Sequence, residues 1–195
     1  MRKLIIMTAL LLTSSALTLT SQTFEKGTNL IKVGVGFANK QYNLPISLGY
    51  ERGIITFDNS DMSIGVGGRF TASWDEDVNE DGVTYDSTSS SHYIVSALAN
   101  WHYTGFGRWD LYAGGSVGCD FASRTEDFRG GYHTYFNTDG TQGVKRGRHD
   151  FSANWCNFVY GITIGARYEI TDIWSLYAEG GYDISYISVG TAFRF

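Results

Sequence analysis

The sequence predicts an all-β chain: an eight-stranded antiparallel up-and-down transmembrane β-barrel, preceded by a cleavable signal peptide. The carboxyl end carries the first indication. From Tyr186 to Phe195 the chain alternates strictly, with Ile187, Val189, Phe193 and Phe195 on one face and Ser188, Gly190, Ala192 and Arg194 on the other. That pattern gives a strand a fatty face for lipid and a small, polar face for a narrow wet interior. Composition is the second: 12 Phe, 13 Tyr, 5 Trp and 24 Gly with a single Pro suit many strands that are aromatic outside and slim inside. The third lies at the amino end. Met1 to Gln22 holds Arg2 and Lys3, an apolar run from Leu4 to Leu12 and a Ser/Thr/Ala-rich stretch, the parts of a secretory signal peptide. Its apolar run of about nine residues is roughly half of what a transmembrane helix needs. Cleavage is expected between Thr20 and Thr23.

Residues 1–22 are therefore read as signal and 23–195 as one barrel domain of about 170 residues. The formal charge of −5 becomes −7 when Arg2 and Lys3 depart, because the segment holds no acid. An acidic mature chain argues against nucleic acid as a partner. A mean hydropathy of −0.17 does not oppose a membrane location, since alternating strands average out.

Alternation places the strands in order. The first, Asn29 to Ala38, sets Ile31, Val33, Val35 and Phe37 against Lys32, Gly34 and Gly36. The second, Pro45 to Arg52, sets Ile46, Leu48 and Tyr50 against Ser47, Gly49 and Glu51. In the third, Asp61 to Trp74, Met62, Ile64, Val66 and Phe70 oppose Ser63, Gly65, Arg69 and Thr71. The fourth, Ser91 to Tyr103, is least clean, because Ile94 and Leu98 share a face with His92, Ser96, Asn100 and His102. The fifth spans Asp110 to Phe121, with Leu111, Val117 and Cys119 opposing Tyr112, Gly114 and Ser116. The sixth, Trp155 to Ile170, opposes Phe158, Tyr160 and Ile162 to Gly161, Thr163 and Arg167. The seventh, Trp174 to Tyr182, opposes Leu176 and Ala178 to Tyr177 and Glu179. The terminal segment is the eighth. Most spans meet the roughly 9–11 tilted residues that cross a bilayer.

Short or moderate connections follow the second, fourth and sixth strands, and long ones, Asp75–Ser90 and Ala122–Asn154, follow the third and fifth. In an up-and-down barrel these sets lie at opposite ends, the long ones outside the cell. Tyr50, Trp101, Tyr103, Trp109, Tyr168, Trp174 and Phe195 then fall at periplasmic strand ends, and Phe37, Trp74, Phe121 and Trp155 at outer ends. Two aromatic bands at headgroup depth are the expected girdles.

The segments SLGYERG, SIGVGGRFTASW, YAEGGY and SVGTAFRF resemble small bacterial barrels of the OmpA/OmpX type, in particular the outer membrane protein beta-barrel domain family. The likeness spans nearly the whole mature chain through short, architectural motifs. It implies a cell outer-membrane location and a terminal aromatic read by the barrel-assembly machinery, which Phe195, with Phe193, matches. It brings no catalytic residues and no cofactor.

The inward set holds Lys32, Arg69, Arg167 and Arg194 against Glu51, Glu169 and Glu179. Charges in so narrow a space must pair, because an unpaired buried charge costs several kcal/mol. Glu179, Arg194 and Lys32 belong to strands that become neighbours on closure, so they are expected to meet. A structural plug is the reading this near-balance favours. A pore prefers a lumen of one dominant sign. Cys119 and Cys156, the two cysteines, fall on the outward parity of the fifth and sixth strands. A register with Leu111 opposite Ile164 sets them face to face and predicts a disulfide in an oxidising compartment.

Three loop features could carry chemistry. Asp77-Val78-Asn79-Glu80-Asp81-Gly82 matches the first half of a calcium loop, with Thr88 where an acid belongs and Asp86 as a possible substitute. His92 follows Ser90 and Ser91, and His149 and Asp150 precede Ser152, a supply of groups for lipid modification that shows no convergence in sequence. The run Lys145-Arg146-Gly147-Arg148-His149 is a solvated face or a grip on anionic lipopolysaccharide. The expectation is a monomeric, non-enzymatic barrel in outer-membrane lipid and lipopolysaccharide, with a structural or surface-interaction role. A small porin-like channel is the alternative, and a lipid-modifying enzyme the third.

Overall fold

The computed structural model describes residues 24–37, 44–58, 60–80, 85–136 and 142–195. The expected signal peptide, Met1 to Gln22, lies outside them. Eight strands follow one another: β1 (Asn29–Phe37), β2 (Ile46–Thr56), β3 (Met62–Glu80), β4 (Tyr85–Phe106), β5 (Trp109–Phe136), β6 (Gln142–Glu169), β7 (Trp174–Tyr182) and β8 (Ile187–Arg194). Each pairs antiparallel with the next, and β8 pairs back onto β1 to close the barrel. Where lipid offers no hydrogen-bond partner, closure is the way a sheet satisfies its backbone. One register row runs from Ala166 on β6 through Ala178, Val189 and Val35 to Ile46, then Ala72, Tyr93 and Phe121. It returns to β6 at Cys156, ten residues from its start. That stagger tilts the strands and sets the width of the ring.

Polarity is inverted relative to a water-soluble domain. Val33, Leu48, Phe70, Val95, Val117, Ile164 and Val189 point outward and are exposed, while Lys32, Glu51, Thr71, Ser96, Tyr112 and Arg167 point inward and are buried. Bulky inward rings fit because glycines face them. A Cβ at Gly34 or Gly190 would collide with Tyr177, and one at Gly165 with Tyr112. The turns at the end opposite the long strand extensions are tight, and Gly107, at φ 68°, takes the left-handed corner between β4 and β5.

Strands β3 to β6 run on beyond the ends that hydropathy suggested. The β3–β4 ladder continues unbroken from Trp74–Ser91 to Glu80–Tyr85, and β5–β6 from Phe121–Cys156 to Arg129–Arg148. Most of the two expected long loops is therefore strand. Apolar alternation reports where lipid ends; a ladder in water needs only its backbone bonds. Since β2 stops pairing with β3 at Ala72 and β7 stops pairing with β6 at Ile162, a four-stranded sheet, β3–β6, rises above the ring.

The expected register around the cysteines is corrected. Ala113, not Leu111, stands opposite Ile164, so Cys119 faces Phe158 and Cys156 faces Phe121, and both cysteines are free. They form a diagonal pair. The Cys156 and Cys119 side chains reach one another across this diagonal and are in hydrogen-bonding contact. Thiol labelling of the unreduced, denatured mature chain should count two reactive thiols; a chain with none would contradict free thiols.

Candidate functional site in the barrel lumen

At mid-height the lumen is bridged by one carboxylate. Glu179 on β7 lies 2.9 Å from Lys32 Nζ on β1 and 3.8 Å from Arg69 on β3. The Tyr112 hydroxyl donates to Glu179 Oε1 at 2.9 Å. Lys32 also stands 3.4 Å from Glu51 and above the rings of Tyr112 and Tyr177, at 4.7 and 5.3 Å. Arg69 completes its pairing with Asp183 in the β7–β8 turn. Such charge-assisted contacts offset the desolvation of buried ions when geometry is good and lone pairs are filled.

Below this junction lies a second cluster. His102 sits between two acids, Nε2 at 2.8 Å from Glu51 and Nδ1 at 3.0 Å from Asp110. Asn100 donates to the same Glu51 oxygen at 2.8 Å. Arg167 is 2.6 Å from Asp110, and Arg194 pairs with Glu169. The opposite mouth of the lumen holds His92, 2.9 Å from Asp120. Beside it Ile94 and Ile184 pack with Val159, which explains the impure alternation of β4: these are lumen residues that meet one another.

The structure thus brings together Lys32, Glu51, Arg69 and Glu179 but gives Arg167 and Arg194 other partners. The expected meeting of Arg194 with Glu179 is corrected, because Glu169 takes that guanidinium. Sequence reasoning missed Asp110, Asp120 and Asp183. The first two share the parity of Tyr112 and were legible; Asp183 lies in a turn, where no periodicity places it. Four cations, Lys32, Arg69, Arg167 and Arg194, therefore face six acids among the described lumen residues, and His92 and His102 lie against the surplus. The central cavity, lined by Lys32, Ser47, Arg69, Asn100, Tyr177 and Glu179, measures about 20 Å³, room for about one water.

A segment before β1 closes the mouth opposite the long extensions of β3 to β6. Phe24 is only 1% exposed, stacked on His102 with ring centroids 3.9 Å apart. The Arg167 guanidinium lies 5.4 Å from its centroid, a cation–π arrangement. Ser63 Oγ donates to Phe24 O at 2.7 Å, and the Gly27 and Gly53 amides donate to Gly53 O and Thr28 O. Glycine at 53 is required here, since a Cβ would collide with Glu25 O.

Other sequence candidates are placed as follows. Asp77 is a strand residue opposite Thr88, and Asn79 one opposite Asp86, so these positions of the calcium-loop candidate are extended ladder; Asp81 lies outside the described residues. Among the described residues no cluster of three metal-ligating side chains occurs. His92 is directed at Asp120 in the lumen. Register places His149 opposite Phe128, six residues along β6 from the row of His92, roughly 20 Å away at strand rise. Lys145, Arg146 and Arg148 are strand positions of β6. Trp155 stands opposite Ala122, on the lumen-side parity rather than in the outer girdle. Phe193 faces outward opposite Ile31 and Trp174, and the Phe195 amide donates to Asn29 O at 3.2 Å.

No protein-family model and no curated protein matches the chain. Among solved structures it is similar to Ail, the attachment invasion locus protein of Yersinia pestis, at 15% identity and TM-score 0.44, covering 87% of this chain and 99% of that one. The same figures apply to Ail in complex with the heparin analogue sucrose octasulfate. The N-terminal β-barrel domain of Pseudomonas aeruginosa OprF gives 17% identity and TM-score 0.32, covering 87% and 98%. The closed ladder, the even strand number and the apolar exterior around a polar interior make this fold an eight-stranded barrel of the outer-membrane type.

If the Phe24 contacts hold the lower mouth shut, Phe24→Ala should lower the unfolding free energy in detergent by about 3 kcal/mol, as for other buried rings. An unchanged denaturant midpoint would contradict that role.

Proposed function

We propose that this chain is an integral outer-membrane barrel that acts as a sealed, non-enzymatic scaffold and presents the β3–β6 sheet for interactions at the cell surface. The observation that carries the reading is the bridge at Glu179. It ties β1, β3, β5 and β7 across the lumen through Lys32, Arg69 and Tyr112, and the space left beside it measures about 20 Å³. A wall so filled favours a scaffold over the channel alternative, because the conducting path would run through paired, buried charges. The lipid-modifying alternative gains no support from His92, which the lumen takes up with Asp120.

Outer-membrane lipid surrounds the wall in this reading, and Phe193 and Phe195 serve the assembly machinery as the outward aromatic end of β8. The scaffold works as a monomer, since closure leaves no strand edge at membrane depth. Planar-bilayer recording decides between scaffold and channel. The purified barrel should insert without producing discrete conductance steps; reproducible openings from wild type would overturn the sealed-scaffold reading.

A further inference from the structure

Both nitrogens of the buried His102 ring face acids. Nε2 lies 2.8 Å from Glu51 Oε1 on β2, and Nδ1 lies 3.0 Å from each oxygen of Asp110 on β5. A neutral imidazole offers one N–H and one lone pair. In either tautomer that lone pair would point at a buried carboxylate oxygen, so the arrangement needs a second donor proton. Neighbouring groups fix where the proton sits. Arg167 on β6 is 2.6 Å from Asp110, and Lys32 on β1 is 3.4 Å from Glu51. Asn100 donates to the same Glu51 oxygen. Both acids are thus paired as carboxylates, which leaves the extra proton on the ring. The other sides supply no competing base. Ser63 on β3 stands opposite His102, and the Tyr112 ring on β5 lies 5.4 Å away with its hydroxyl on Glu179. Beyond Arg167, Glu169 and Arg194 pair with each other. Glu25 and Lys26 are exposed.

The charge balance of the lumen points the same way. Its four permanent cations fall two short of its six acids, and protonation of His92 and His102 closes that gap.

Phe24 rests on this ring, with Arg167 also against its face. An aromatic face is the negative part of the ring, so an imidazolium beneath it is a second cation holding Phe24 down. The rest of the segment has few ties. Ser63 Oγ donates to Phe24 O, and the Lys26 amide donates to Thr56 Oγ1 at 2.7 Å. Then comes Gly27, at φ 96° with nothing within 4 Å of where a Cβ would stand. A glycine there changes conformation without a Cβ penalty, which makes it a hinge between Phe24 and β1.

We propose that the segment before β1 is a proton-operated lid, seated while His102 is an imidazolium and released when His102 passes its proton to a base in solution. Loss of the proton turns one His102 contact into a lone pair against a carboxylate and removes a cation from beneath Phe24. Because the closed form holds a proton that the open form gives up, closure is favoured at low pH and lost as pH rises. The Glu179 junction above keeps the lumen filled in either state. The lid lies at the end opposite the β3–β6 sheet and works whether or not that sheet meets a partner.

Fluorine NMR of the full mature barrel in detergent tests the lid. A trifluoromethyl tag on Glu25→Cys, in a Cys119→Ser, Cys156→Ser background, reports whether the segment is docked. Between about pH 6 and about pH 9, the range in which histidine titrates and just above it, a docked resonance should give way to a released one. Their ratio should fall by up to about tenfold per pH unit, the slope of one proton. His102→Gln should abolish the step, and His92→Gln should keep it. A docked resonance unmoved across this range would overturn the lid, as would a step that persists in His102→Gln or vanishes in His92→Gln. Should His102→Gln not fold, imidazole nitrogen NMR of the wild-type barrel decides. Two protonated ring nitrogens on His102 at about pH 6 support the lid, and a neutral His102 ring in the docked state would overturn it.

Discussion

A bilayer core supplies no water to backbone amides, and that absence governs everything else in this molecule. A sheet placed there must close on itself, and eight strands with a ten-residue stagger close into a ring that side chains fill. Lipid outside demands apolar residues at every second position. The intervening positions, turned inward, are left to polar and small residues. The lumen then holds ionic groups in a nearly dry space, where each must find a partner. Glu179 answers that demand with Lys32, Arg69 and Tyr112, and Arg167 answers it with Asp110.

Period-two alternation made all eight strands and their inward faces legible, because lipid enforces it residue by residue. The same periodicity has two blind spots. A slip of two residues leaves every side chain on its own face, so parity could not separate the register that pairs Cys119 with Cys156 from the real one, which pairs Cys119 with Phe158. Alternation of hydropathy also ends where lipid ends, so β3 to β6 ran on past Trp74 and Phe121 unseen. Asp110 and Asp120 were readable from parity. Asp183 and Phe24 were not, because a turn and a leading segment carry no period; only folding brings one to Arg69 and the other beneath His102.

The interior and the outer sheet are linked by construction. Strands that cross the membrane as part of a filled ring emerge as β3–β6 without a break in register, so the sheet inherits the rigidity and the facing of the wall. In the proposed scaffold role the wall holds one surface at a fixed height and orientation, with the Phe24 segment closing the opposite end.

Coupling between Lys32 and Glu179 is the most direct measure of whether a dry ionic bridge holds the lumen. A double-mutant cycle of Lys32→Met and Glu179→Gln, read as unfolding free energy in detergent, isolates it. The account predicts that the double variant is more stable than the sum of the single losses implies, with a coupling of about 2 kcal/mol, at the lower end of close charge pairs in protein interfaces. Strictly additive losses would mean that the two groups are independently solvated, and would contradict a sealed barrel.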